Sequence, residues 1–178
     1  MFDILDTDVP GLPQSERSFR ISHTDPKHYD HLMQLFRNII LVNIDKTQYS
    51  QTRMRFARDK YATEQIVLTI NTPSLESLQE FCEKHRQEVV DFLTRTEMNR
   101  LIKRLEKKYS KATDDLAWLI FSCHIYAPDE LKSYKKGDHF LWTSNNTASG
   151  LENICIYSYE YEGPETFNKE YMLHKRDS

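Results

Sequence analysis

Apolar and polar positions change period several times along this chain, and each change marks an element. Residues 16–23 read as a strand. Asp25 and Pro26 then supply an N-cap and a proline suited to the first helical position, so a helix is predicted over 26–37. Tyr29, Leu32, Met33, Leu35 and Phe36 give that helix one apolar stripe, as for a helix lying on a sheet. The run Asn38-Ile39-Ile40-Leu41-Val42-Asn43-Ile44 is nearly all apolar, which predicts a central strand covered on both faces.

Residues 46–62 are polar, with Met54 and Phe56 alternating against Arg53 and Arg55, the pattern of an exposed hairpin arm or edge strand. A second apolar strand, Ile66-Val67-Leu68-Thr69-Ile70, ends at the helix-start signal Thr72-Pro73. From Ser74, apolar positions recur at helical steps to Leu93 and resume with a shifted phase from Met98 to Tyr109. One straight helix over 74–109 would measure about 54 Å, longer than the roughly 40 Å width of a compact chain of this size. Thr94-Arg95-Thr96-Glu97 matches a capping box, so a kink or new helix start is predicted there.

Beyond Tyr109, residues 116–126 read as an apolar strand, 127–130 as a turn and 135–138 as a loop. Strands follow at 140–143 and 153–161, and a closing helix starts near Thr166 or at Pro164. Helices returning between strands that need not all be parallel predict an α+β fold, with a mixed or antiparallel sheet covered by helices. Its first half fits a ferredoxin-like arrangement. One domain over 1–178 is expected.

Composition narrows the function classes. A net charge of −3 and an isoelectric point near 6.2 lack the basic field that nonspecific nucleic-acid binding needs. The longest apolar runs are strand-sized, far short of the roughly 18 residues of a membrane span. Residues 1–6 have neither the basic start nor the long apolar core of a signal peptide. Cys82, Cys123 and Cys155 are widely spaced and odd in number, so they read as buried small hydrophobes rather than a disulfide framework or a zinc knuckle.

The segments Val9-Pro10-Gly11-Leu12-Pro13-Gln14, 19–23, Arg37-Asn38-Ile39-Ile40-Leu41-Val42-Asn43-Ile44, 65–92 and Leu173-His174-Lys175-Arg176-Asp177 occur in an order that resembles an uncharacterised lipoprotein family of Bacteroidetes, a domain of unknown function. The resemblance covers most of the chain. It implies a cell-envelope location, periplasm-facing or outer-membrane, with a lipid anchor on a cysteine outside this span. Family members are longer at both ends, so it also implies that this chain is a fragment of a longer lipoprotein. It assigns no reaction, cofactor or catalytic residue.

Three groups of side chains remain as candidates. His23, His28 and His31, with Asp25 and Asp30 between them, are the densest set of possible metal ligands, yet no diagnostic His or Cys spacing accompanies them, and exposed histidines are the simpler reading. Arg100, Arg104 and Lys108 form one helical stripe and Lys103, Lys107 and Lys111 the next, a row able to meet phosphates or anionic lipid. Trp118, Trp142, Tyr157, Tyr159 and Tyr161 form an aromatic set suited to a glycan or a protein partner, or to core packing. Nucleophile motifs are absent, and Gly11, Gly137, Gly150 and Gly163 stand alone, so no phosphate-cradling loop forms. No catalytic, cofactor or metal residue is therefore assigned. The sequence favours a non-enzymatic envelope interaction or structural module bound to an envelope protein or glycan; the alternative is a hydrolase whose site is assembled only in three dimensions.

Overall fold

The computed structural model describes residues 5–10, 12, 14–148 and 150–177. It is α+β, with two three-stranded sheets and four α-helices among the described residues. The chain divides into two compact units, one ending at Leu101 and the other starting at Ile102.

In the first unit, β1 (Asn38–Ile44), β2 (Arg53–Arg58) and β3 (Ile66–Thr72) form a sheet of order β1-β3-β2. β1 runs parallel to β3, pairing Asn38 with Ile66, and β2 runs antiparallel to it, pairing Arg53 with Asn71. The central strand is thus β3, not β1. Burial explains the difference: Ile66, Val67, Leu68 and Ile70 are each at most 4% exposed, whereas in β1 only Ile39 is buried. The edge position expected for β2 is observed.

α1 (Leu75–Lys84) starts at Ser74, whose hydroxyl accepts from the Ser77 N–H at 3.2 Å. It ends at His85, and α2 (Arg86–Lys107) follows at once. The helix break therefore falls at His85, and α2 passes through 94–97 unbroken. The Thr96 hydroxyl donates back to the Phe92 carbonyl at 2.8 Å, and Glu97 bonds to Asn38 and Arg100 rather than capping a new helix. Leu78, Cys82, Val89 and Leu93 from these helices close over Leu68 and Ile70, joined by Leu5, with Ile40, Val42 and Met54 at the margin. Each fully buried Leu or Ile contributes about 1.5–3 kcal/mol.

The segment ahead of β1 departs from expectation. Only an Asp8–Arg17 bridge stands where a strand over 16–23 was predicted, and the helix over 26–37 is two 3-10 turns, Pro26–His28 and Met33–Leu35. Two aspartates explain the interruption. Asp25 caps the first turn through the Lys27 N–H at 2.9 Å, and Asp30 takes the Leu32 and Met33 N–H groups, both at 3.0 Å, which restarts the chain. The Met33 N–H, helped by that of Leu32, holds the Asp30 carboxyl below its usual range. The turn expected over 9–14 includes Gly11 and Pro13, which lie outside the described residues.

In the second unit, α3 (Lys111–Phe121) replaces the strand predicted from 116. Its start is capped by Ser110, which accepts from the Thr113 N–H at 3.3 Å, and its end by Ser122 in the left-handed region at φ 55°. Thr113 and Ala117, one turn apart, are both buried. β4 (Ser133–Gly137), β5 (Phe140–Ser144) and β6 (Asn153–Tyr157) form an antiparallel meander in which Leu141 and Thr143 are fully buried on one face. The loop predicted over 135–138 thus begins inside β4. A 3-10 turn, Pro164–Phe167, precedes α4 (Lys169–Asp177).

Candidate functional site

Strand geometry sorts the second sheet into two faces. Leu141 and Thr143 fill the covered side, so Phe140 and Trp142 point the other way, with Tyr157 across from Phe140 and Lys135 and Cys155 flanking Trp142. Phe140 and Tyr157 are each 39% exposed, Trp142 is half-buried, and Lys135 Nζ stands 5.8 Å from the Trp142 ring centre. The aromatic row continues from Tyr157 to Tyr159, 6.0 Å between ring centres, and from Tyr159 to Tyr171 of α4 at 5.9 Å. Lys175 Nζ lies over both of the last two rings.

Two of the five predicted aromatics do not join this row through any ring contact found. Trp118 on α3 is 53% exposed and stacks on His124 with centroids 4.7 Å apart and planes 12° apart. Tyr161 pairs with Phe167 instead.

Trp118 belongs to a second arrangement that the sequence does not signal. Asp114 is buried, and its carboxylate accepts from the Ile125 N–H at 2.9 Å and contacts His124 Nδ1 at 3.0 and 3.2 Å. Such a carboxylate fixes the imidazole tautomer and leaves Nε2 as an acceptor on a ring that is largely open to solvent. The residues responsible stand ten positions apart on either side of a helix end whose apolar run predicts a strand.

A third feature lies in the first unit. An open cleft of about 350 Å³ is bordered by the 48–51 loop together with Arg53, Arg55 and Asn71. Arg53 and Arg55 alternate with Met54, which faces the core, and Phe56, which packs on Phe92, so both guanidinium groups share the face turned away from the helices.

The remaining sequence candidates are dispersed. His28 ends the first 3-10 turn and His31 lies in the turn between the two, both exposed, while His23 lies in irregular chain before them. Among the described residues, no group of three or more His, Cys, Asp or Glu side chains is arranged to hold a metal ion. Two members of the basic stripe are engaged. Arg100 is bound to Glu97 at 2.6 Å, and Lys108 to Asp129 at 2.9 Å. Lys111 starts α3 rather than continuing α2. Of the cysteines only Cys82 is buried; Cys123 and Cys155 are exposed, because one follows the α3 C-cap and the other lies on the open sheet face. Burial pushes the Cys82 thiol pKa up.

No described helix is long and apolar enough to cross a membrane. No curated protein and no solved structure matches the chain. Two family models do, one over residues 2–106 and one, described as a domain of unknown function (DUF4837), over 110–178. The residue-level resemblance is met in this respect, that domains of unknown function cover the chain. The first model spans more than half of it, and the protein therefore belongs to the family described as a domain of unknown function (DUF8532).

Proposed function

We propose that this chain is a non-enzymatic interaction module of the cell envelope whose contact surface is the open face of the second sheet, and that its partner is a glycan. The observation that carries this reading is the cross-strand pair Phe140–Tyr157, each 39% exposed, beside Trp142. Phe140 has no polar atom to offset the cost of facing water, and it lies in a cluster with Tyr157 and Trp142 rather than alone. An antiparallel sheet carrying adjacent aromatic rings suits stacking against the C–H faces of sugars, and Lys135, Tyr157 and Tyr159 add polar tips at the margin. The envelope location and the lipid anchor rest on the resemblance of segments such as Arg37-Asn38-Ile39 to envelope lipoproteins, and the same resemblance supports a single working domain within a longer lipoprotein.

Co-sedimentation with purified cell-wall glycan tests the binding. The wild-type chain is expected to pellet with the glycan, and a Phe140→Ser/Trp142→Ala/Tyr157→Ser variant with unchanged circular dichroism is expected to stay in the supernatant. Equal pelleting of both would sink the proposal.

A second reading, the hydrolase assembled in three dimensions, is favoured by one observation, the Asp114–His124 pair with its outward Nε2. Hydrolysis of an activated ester that disappears in His124→Ala would support it. No turnover above the buffer rate would remove it.

A further inference from the structure

We propose that the cleft between the 48–51 loop and β2 is a binding site for a phosphate group, carried by a small phosphorylated metabolite or by a lipid headgroup. Arg53 and Arg55 are two residues apart on an edge strand, so their side chains leave one face from points about 7 Å apart along the strand. Two like charges so placed repel, and structures ordinarily relieve this with a carboxylate. None of the residues bordering the cleft is acidic.

Asp45, just ahead of the 48–51 loop, does not border the cleft. Its Oδ1 accepts from the Thr47 N–H at 2.8 Å, the Thr47 hydroxyl at 2.6 Å and the Gln48 N–H at 3.2 Å. The Thr47 hydroxyl, then its N–H, hold the Asp45 carboxyl below the ordinary carboxylate range, so it remains an acceptor tied into the loop. This ties down the loop that walls the cleft.

The donors, by contrast, are left over. Asn71 Oδ1 is taken by Asn43 Nδ2 at 2.9 Å, which leaves the Asn71 amide nitrogen available beside the cleft. The Arg55 guanidinium makes no hydrogen bond or ion pair among the described residues, its backbone alone being paired with β3. Arg53 donates from Nε at 3.0 Å to the Gln51 side-chain oxygen once that amide is oriented to satisfy both groups, which holds its fork in place at the rim. The Arg55 fork, the part of the Arg53 guanidinium that Gln51 does not hold, an amide N–H₂ and the Ser50 hydroxyl make a donor-rich, acid-free recess. Paired planar forks match the tetrahedral oxygens of a phosphate. The volume, about 350 Å³, accommodates a phosphate together with a sugar-sized group.

The experiment is an NMR titration of the ¹⁵N-labelled chain, reading the arginine Nε–H signals and the backbone amides of 48–55. The probes are inorganic phosphate, a hexose 6-phosphate, and vesicles of phosphatidic acid against phosphatidylcholine. Saturable shifts at millimolar phosphate or hexose phosphate are expected, with Arg55→Gln weakening binding at least tenfold and Arg55→Lys giving an intermediate loss because the fork is gone while the charge stays. Binding restricted to phosphatidic acid vesicles and lost in Arg55→Gln supports the same site with a headgroup as the source. No saturable shift with any probe would overturn the site, as would equal displacement by chloride or an Arg55→Gln variant that binds like the wild type. Both substitutions are on an exposed edge strand, so the variants fold and the readout stays informative.

Discussion

Arg100 on α2 donates from Nη1 to the Asn38 side-chain oxygen at 2.9 Å, tying the helix to the first residue of β1. The same guanidinium reaches Glu97 at 2.6 Å and the Arg37 carbonyl at 3.2 Å, while Asn38 Nδ2 returns a bond to Glu97 at 2.5 Å. Only 10% of the Arg100 side chain is exposed. Replacing it with Met takes the donor from the Asn38 side-chain oxygen and the Arg37 carbonyl and leaves Glu97 with the Asn38 amide alone as hydrogen-bond donor. The expected loss is about 1–3 kcal/mol of unfolding free energy, read by urea denaturation. Arg104→Met, further along the same helix and exposed, is expected to cost under about 0.5 kcal/mol.

Gln65 is a buried polar clamp. Its amide nitrogen donates to the Gln34 carbonyl at 2.6 Å and the Phe36 carbonyl at 2.7 Å, and its oxygen accepts from the Tyr61 N–H at 3.0 Å. Gln65→Leu keeps the volume and strands three backbone groups. A destabilisation of about 2–4 kcal/mol is expected, accompanied by faster amide exchange at Tyr61. A cost below about 0.5 kcal/mol would mean that the segment ahead of β1 is not held this way.

For the Asp114–His124 pair the prediction concerns tautomer. With the carboxylate accepting from Nδ1–H, the neutral ring carries its proton on Nδ1, and long-range ¹H–¹⁵N spectra should show Nε2 unprotonated. Asp114→Ala is expected to release the ring to a tautomer mixture. It should also cost about 1–3 kcal/mol, because the Ile125 N–H loses its acceptor.

The Lys108–Asp129 bridge sets a pH expectation. Its hydrogen bond lowers the Asp129 pKa and raises that of Lys108. A lowered carboxylate adds stability above its unfolded value that disappears as pH falls through the folded value; a raised amine adds stability below its unfolded value that disappears as pH rises through the folded one. The contribution is therefore present across the neutral range and lost at both extremes. Lys108 is 70% exposed, so solvent screening keeps it small. Asp129→Asn is expected to lower the urea midpoint slightly at neutral pH in low salt and not at all in 1 M salt.

Thiol reactivity checks the burial pattern. A chromogenic disulfide reagent is expected to titrate Cys123 and Cys155 in the native chain and Cys82 only on unfolding. Immediate reaction of all three thiols would contradict the packing of α1 on β3.

The strands were readable where apolar run length and β-branched content agreed, as at 38–44 and 66–72, and the alternation of Met54 and Phe56 correctly marked an edge. What sequence period could not convey was competition. Residues 116–121 are as apolar as a strand, yet the Ser110 cap, the buried Thr113 and Ala117 one turn apart, and the paucity of β-branched residues select a helix. Asp25 and Asp30 each look like a helix start, and having both within six residues is what prevents one long helix. The open aromatic face was half readable: Trp142, Tyr157 and Tyr159 were named, but Phe140 emerges only from the register of β5 against β6. The arginine cleft and the Asp114–His124 pair depend on loop closure and on chain reversal after α3, neither of which leaves a periodic trace.

The most direct test of the contact surface is the indole N–H signal of Trp142 during titration with soluble cell-wall glycan fragments. A saturable shift at Trp142 is predicted, with the Trp118 indole unmoved. Glycan binding that leaves Trp142 unshifted, or no binding by any envelope glycan, would contradict the account.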